Sequence, residues 1–208
     1  VPTEKELLAV LPISQGTVQA AMRRLADDGI VVRKRGAGSR IASSGGRTNK
    51  PWYMRFRVSD GADFAPVGIV RAAISEIHEM GEWSAALGTK RSSIKLERVL
   101  RVANTFNVHA VAYLDAGRFR PLLDFTHDVM TYMHLRRLLH DRFNVPTLRA
   151  HETARMRGAS PHVAEVVGVA LDTPVLTLRT VNLSLHEEPI VYQEFHIPPN
   201  DYLLDLSR

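Results

Sequence analysis

The chain has 208 residues, 45% of them hydrophobic and 24% charged, the balance of an ordinary globular protein of one large or two small domains. No run approaches the ~18 uninterrupted apolar residues of a membrane span, and no basic-then-apolar leader is visible, so neither a transmembrane segment nor a signal peptide is expected. The absence of cysteine excludes disulfides, thiolate metal sites and a cysteine nucleophile, and fits a reducing cytoplasm. The chain opens on Val rather than Met, so a preceding segment is expected.

The net charge of +5 is lodged at one end. Residues 1–50 carry nine Lys and Arg against four acids, whereas residues 51–208 hold eighteen of each sign. That asymmetry points to a polyanion-binding unit on a neutral remainder; a merely solvated basic surface is the alternative.

In chain order, Thr3 and Glu6 form the T-x-x-E pattern of a capping box, opening a short helix to about Val10. Pro12 interrupts it. Ser14 can cap a second helix running to about Asp28, with Val18, Ala21, Met22 and Leu25 as one apolar stripe. Gln15, Thr17, Gln19, Arg23 and Arg24 lie on the opposite side. Two short β-type runs, 30–33 and 40–42, flank a basic Gly-x-Gly tip and predict a hairpin. The Gly/Ser-rich stretch from Ser43 to Pro51 reads as a connection.

Beyond it, Ile69, Ala72, Ala73, Ile77 and Met80 predict a helix from Ala65 to about Leu87. Strands are expected at 94–102, 108–114 and 147–157, and a helix from Leu122 to about Phe143. A short helix at 162–169 and a hairpin of 175–185 with 190–197 follow. This is an antiparallel α+β domain of about 145 residues, with no internal repeat.

Three segments carry a resemblance: Val1-Pro-Thr-Glu-Lys-Glu-Leu, then Ile13-Ser-Gln-Gly-Thr-Val-Gln-Ala-Ala-Met-Arg-Arg-Leu, then Arg35-Gly-Ala-Gly-Ser-Arg-Ile. Together they resemble the winged helix-turn-helix of GntR-type bacterial transcription regulators, with the first helix of that motif missing. Leu96-Glu-Arg-Val, Leu139-His-Asp-Arg-Phe-Asn-Val-Pro, Pro174-Val-Leu-Thr-Leu-Arg and Pro189-Ile-Val-Tyr are similar to the UTRA effector-binding domain of the HutC subfamily. The implied fold class is α+β: a truncated winged helix-turn-helix over 1–43, a linker over 44–62, and an antiparallel UTRA domain of chorismate-lyase-like fold over 63–208. The implied function is that of a cytoplasmic transcription regulator, expected to be a repressor. A homodimer would bind a palindromic double-stranded DNA operator and be released or repositioned by a small-molecule effector. No cofactor and no membrane partner are expected.

The DNA-contacting set expected from this likeness is Thr3, Lys5, Ser14, Gln15, Thr17, Gln19, Arg23, Arg33, Lys34, Arg35 and Gly36. Lys5 and Gln15 occupy positions where the family commonly carries base-reading Arg. Lys lacks the planar fork of Arg, and Gln pairs naturally with adenine, so base preference should depart from guanine. Ser14, Thr17, Gln19 and Arg23 suit phosphates, and the Gly36 backbone suits a close approach to DNA.

The effector set is Arg98, Tyr113, Arg137, Arg179, Tyr192, Glu194 and His196. Arg98 matches a family Arg that binds effector anions, while its usual companion aligns with Leu100. Tyr113 aligns with an acidic pocket position and Arg137 with a ligand-contacting helix position. Tyr192 and Pro198 stand where phosphosugar-binding relatives carry Glu and Tyr, which argues against a phosphosugar. Strand alternation places Tyr192, Glu194 and His196 on one face and Val191, Gln193 and Phe195 on the other. Arg, His and Glu together suit a small carboxylate or amphoteric metabolite; structural ion pairs of Arg98 and Arg179, and a core role for Tyr192, are the alternatives.

No catalytic set is expected: no nucleophile elbow and no Ser/His/Asp spacing is present. His127, His134 and His140 do not share a helical face, so no metal site is expected. A lyase-like enzyme with an added basic head, and a ligand-free architectural DNA-binding protein, are the rival readings.

Overall fold

The computed structural model describes residues 3–27, 31–34, 38–41, 54–58, 64–125, 134–147, 149–184 and 186–206. The chain divides into two compact units, Val1–Asn49 and Lys50–Arg208.

In the first unit, α1 (Glu4–Val10) is closed by the expected capping box. Thr3 accepts from the Glu6 amide at 3.2 Å, and the Thr3 amide donates back to Glu6 Oε2 at 2.7 Å. Ser14 caps α2 (Gln15–Asp27) by accepting from the Thr17 amide at 3.2 Å. Val18 and Met22 are buried against Leu7, Leu8 and Leu25, whereas Ala21 is exposed, so the apolar stripe is narrower than its spacing suggests. Strands β1 (Val31–Lys34) and β2 (Gly38–Ile41) pair antiparallel from Val31↔Ile41 to Lys34↔Gly38, giving the expected hairpin.

The second unit is built on one six-stranded antiparallel sheet of order β4-β5-β6-β9-β8-β7. Its strands are β4 (Val67–Ile77), β5 (Ser93–Val102), β6 (Phe106–Asp115), β7 (Arg149–Gly158), β8 (Pro174–Leu183) and β9 (Pro189–Ile197). Between them lie α3 (Glu82–Leu87), α4 (Ala116–Phe119), α5 (Leu135–Phe143) and α6 (Pro161–Val167). One sheet face carries two apolar clusters. Near one end Ile94, Leu96, Ala112 and Leu114 pack against Leu135, Leu138 and Leu139 of α5; near the other, Leu100, Val108, Leu178 and Phe195 pack against Met54 and Phe56. The opposite face is mixed: α3 and α6 cover parts of it through Trp83 and Val163.

Three segments differ from the sequence expectation. The helix expected over 65–87 is instead β4, a turn and the six-residue α3. A register shift between Ile69 and Arg71 breaks the two-residue alternation of β4, leaving apolar spacings that mimic a helical period. The single helix expected over 122–143 is, where described, a 3₁₀ turn at Arg120–Asp124 and α5. Within the stretch read as linker, Arg55–Val58 forms β3, paired with β10 (Tyr202–Asp205) and pinned by Arg57 Nε donating to Asp205 at 2.6 Å.

Candidate functional site

On the first unit, the exposed surface carries most of the expected DNA-contacting side chains. Lys5, Ser14, Gln15, Thr17 and Arg23 are exposed. Thr3, Ser14 and Thr17 are engaged in caps, so they are held in place by the helices they start. Gln19 is half-buried and donates to Glu4 at 3.4 Å, tying α2 to α1. Arg23 leans back on the Gln19 carbonyl at 3.4 Å. Arg33 and Lys34 lie in β1, while Arg35 and Gly36 lie outside the described residues.

In the second unit, the expected effector residues divide between places. Strand register puts Tyr113, Tyr192, Glu194, His196 and Arg179 on the mixed face: Tyr113 opposes Tyr192, His109 opposes His196, and Arg179 opposes Glu194. The sequence alternation of β9 is thus seen in the fold. Tyr192 donates to Glu194 Oε1 at 2.8 Å, and Arg179 donates to the same oxygen at 3.2 Å and to Glu82. Arg179 is therefore committed to two carboxylates. Burial, then the Glu194 and Glu97 charges, push the Tyr113 phenol up to about 12. Burial and the bond to Glu194 raise Tyr192 likewise. Both phenols stay protonated donors at neutral pH. Tyr113 stacks on Trp83 at 4.0 Å between centroids, roofing this part of the sheet.

Beside it lies a cluster that sequence reasoning missed. Glu97 Oε1 accepts from His109 Nε2 at 2.8 Å and from His162 Nε2, while Glu97 Oε2 meets Lys95 Nζ at 2.9 Å. His109 Nδ1 faces His196 Nδ1 at 3.3 Å. Burial alone would raise the Glu97 carboxyl, but hydrogen bonds from His162, Lys95 and His109 outweigh it and hold it at about 2. Burial drives His109 down to about 4, against the pull of Glu97. At neutral pH the His109–Glu97 contact is thus a neutral imidazole donating to a carboxylate. That assigns the proton to Nε2, so Nδ1 accepts and His196 Nδ1 donates. A cavity of about 180 Å³ adjoins His196, bordered by Arg155, Arg157, Ser160 and Glu194.

The apolar face holds Arg98, between Leu96 and Leu100 on β5, 8% exposed. Its strand partners are small, Ala72 and Ala110, and Ala112 follows on the same face. Gln193 pairs with Ala112 and with Thr180, placing two more buried polar side chains on this face. Among the described residues, Gln193 Oε1 and Thr180 Oγ1 are buried without a hydrogen-bond partner. This row of polar groups interrupts the apolar surface between the two core clusters. Arg137 joins neither group: its side chain is 70% exposed and pairs with Asp141 at 3.2 Å. Its neighbour Arg136 turns inward instead and donates to Thr147 Oγ1 at 2.6 Å.

Gln193 and Thr180 could have been found from β-strand alternation, since both are polar at positions that otherwise read apolar. Glu97, His109 and His162 come from separate strands and a helix, and no local spacing announces them.

Residues 74–202 match the family described as UTRA domain, and residues 1–41 match the family described as bacterial regulatory proteins, gntR family. The chain is 28% identical over 219 residues to the HTH-type transcriptional regulator Rv0792c of Mycobacterium tuberculosis, covering 99% of this chain and 76% of that protein. Among solved structures, the ligand-binding domain assigned to a GntR-family regulator from Bordetella bronchiseptica superposes with a TM-score of 0.64 at 20% identity, covering 76% of this chain and 99% of that one. PhnF from Mycobacterium smegmatis gives a TM-score of 0.53 at 22% identity over 94% of this chain and 85% of that one.

Proposed function

Because the chain belongs to the UTRA-domain family and carries a GntR-type head, it is a DNA-binding transcriptional regulator with an effector domain, and we propose that it acts as a homodimeric repressor of the HutC subfamily. The family consists of transcription factors rather than enzymes, so the lyase-like alternative falls away. In this reading, paired heads bind a palindromic operator in the cytoplasm. Gln15 and Lys5 read base edges, and Thr3, Ser14, Thr17, Gln19 and Arg23 with the hairpin residues Arg33, Lys34, Arg35 and Gly36 position the backbone. Among the described residues no helix is long and apolar enough to cross a membrane.

The observation that carries the effector half is the buried polar row on the apolar face. A small carboxylate laid over Ala110 and Ala112 would pair with Arg98, and its polar remainder would meet Gln193 and Thr180, whose oxygens otherwise stay unsatisfied at a cost of about 1–3 kcal/mol each. Tyr113, Arg179, Tyr192, Glu194 and His196 lie on the reverse face and support the sheet from there. Arg137 stays in solvent.

A thermal-shift screen of small carboxylates and phosphosugars tests this reading. One carboxylate is expected to raise Tm, with the shift abolished in Arg98→Met and kept in Arg137→Ala. Stabilisation by no carboxylate, or a shift that survives Arg98→Met, would overturn the assignment.

A further inference from the structure

Glu97, His109 and His162 present three ligand atoms, a carboxylate oxygen and two imidazole nitrogens, all within 4.8 Å of one another. They come from the sheet strands β5 and β6 and from α6, which packs on the mixed face, and so converge only in the folded unit. From this geometry we infer that the second unit carries a binding site for a divalent transition cation such as Zn²⁺, held by Glu97, His109 and His162.

The donor set is of the right kind. Two neutral imidazoles and one carboxylate are ligands that zinc accepts at about 2.0–2.2 Å, leaving a further position for water or a small anion. In the folded chain both Nε2–H groups aim at the single oxygen Glu97 Oε1. The cation would take the place of those two protons: the Glu97 oxygen draws back from the two nitrogens, and solvent-exposed His162 gives its Nε2 proton to solvent and carries one on Nδ1 instead. His162 is on the surface, its side chain 56% exposed, so it can make that exchange and also provides the entry path.

The surroundings complete the arrangement. Metal-bound His109 must carry its proton on Nδ1, which faces His196 Nδ1 at 3.3 Å. On binding, His109 releases its Nε2 proton to solvent and takes the bridging proton onto Nδ1. His196 gives up that proton and takes one from solvent on Nε2, which lies 4.0 Å from Glu194 Oε2. The imidazole pair then gains no net proton, and a relay of His109, His196 and Glu194 orients the ligand, as outer-shell partners do at metal sites. Lys95 works against the cation. Its ammonium holds Glu97 Oε2 at 2.9 Å, leaving Oε1 to the metal but placing a like charge beside it. The site is therefore suited to reversible rather than permanent occupation.

The test uses tag-free full chain with Zn²⁺ in competition against a chromophoric chelator, and Co²⁺ as a spectroscopic probe. One equivalent of Zn²⁺ is expected to bind, and Co²⁺ to show the visible absorption of a low-coordinate N/O site. Surface substitution His162→Gln and the near-isosteric Glu97→Gln should each weaken binding at least tenfold, and His196→Gln should weaken it by about 10–100-fold through lost orientation. Lys95→Met should tighten binding several-fold, a gain that a merely structural role for the cluster would not produce. Absence of a one-to-one complex, or binding equal to wild type in both His162→Gln and Glu97→Gln while circular dichroism shows them folded, would overturn the inference.

Discussion

At the scale of single residues, chemistry is set by what each side chain touches. Gln15 stands exposed at the first position of α2, with its amide free to face a base edge. Gln15→Ala is expected to lose about 1–3 kcal/mol of discrimination at one operator base pair while leaving affinity for other sequences nearly unchanged. A binding series over operator variants with no altered base preference would contradict it. His109 is the opposite case, 4% exposed and held by burial at about 4 instead of 6.5. Because the folded value lies below the unfolded one, the unfolded chain takes up the proton first. Stability is therefore full above about 6.5 and is lost as pH falls through about 4. His196, also lowered by burial, acts in the same direction. Glu97 loses its contribution at lower pH, as pH falls from 4.5 towards about 2. The urea midpoint should decline from about pH 6.5 to 4, and the decline should flatten in His109→Gln. An unchanged slope in that variant would mean that the ring is not buried neutral.

At the scale of elements, caps and alternation were the readable signals. T-x-x-E at Thr3 and Glu6 and the Ser14 cap announce α1 and α2 because a cap satisfies orphan amides locally, within three residues. Ser14→Ala should therefore destabilise the first unit by about 1 kcal/mol, seen as an earlier unfolding of its helices with the second unit's transition unmoved. The strands β5, β6, β8 and β9 were legible from their alternation, and β4 was not, because its bulge slips the pattern by one residue. One core cluster of the second unit rests on α5 against the sheet. Leu138, fully buried there, should cost about 2–5 kcal/mol on replacement by Ala, measured by chemical denaturation. Strands also explain why the effector set divided. Adjacent residues of β5 face opposite ways, so Glu97 belongs to the histidine cluster and Arg98 to the apolar face. A linear motif that names Arg98, Tyr113 and Tyr192 together does not encode that division. The histidine cluster was illegible for a different reason: its members are twelve and more residues apart and meet only through strand pairing and the docking of α6.

At the scale of the whole molecule, the charge asymmetry is matched by the two compact units, a basic head and a nearly neutral second unit. A regulator needs that separation, since the operator is read by one unit and the metabolite by the other. In a regulator of this kind the two binding events are linked. Fluorescence anisotropy with DNA from upstream of the protein's own gene, titrated with salt and then with small carboxylates, measures that linkage. Tight binding is expected, its logarithm falling steeply and linearly with the logarithm of salt concentration, and one carboxylate is expected to release it. Folded, dimeric protein that shows no specific binding to this DNA, or binding that no carboxylate alters, would contradict that linkage.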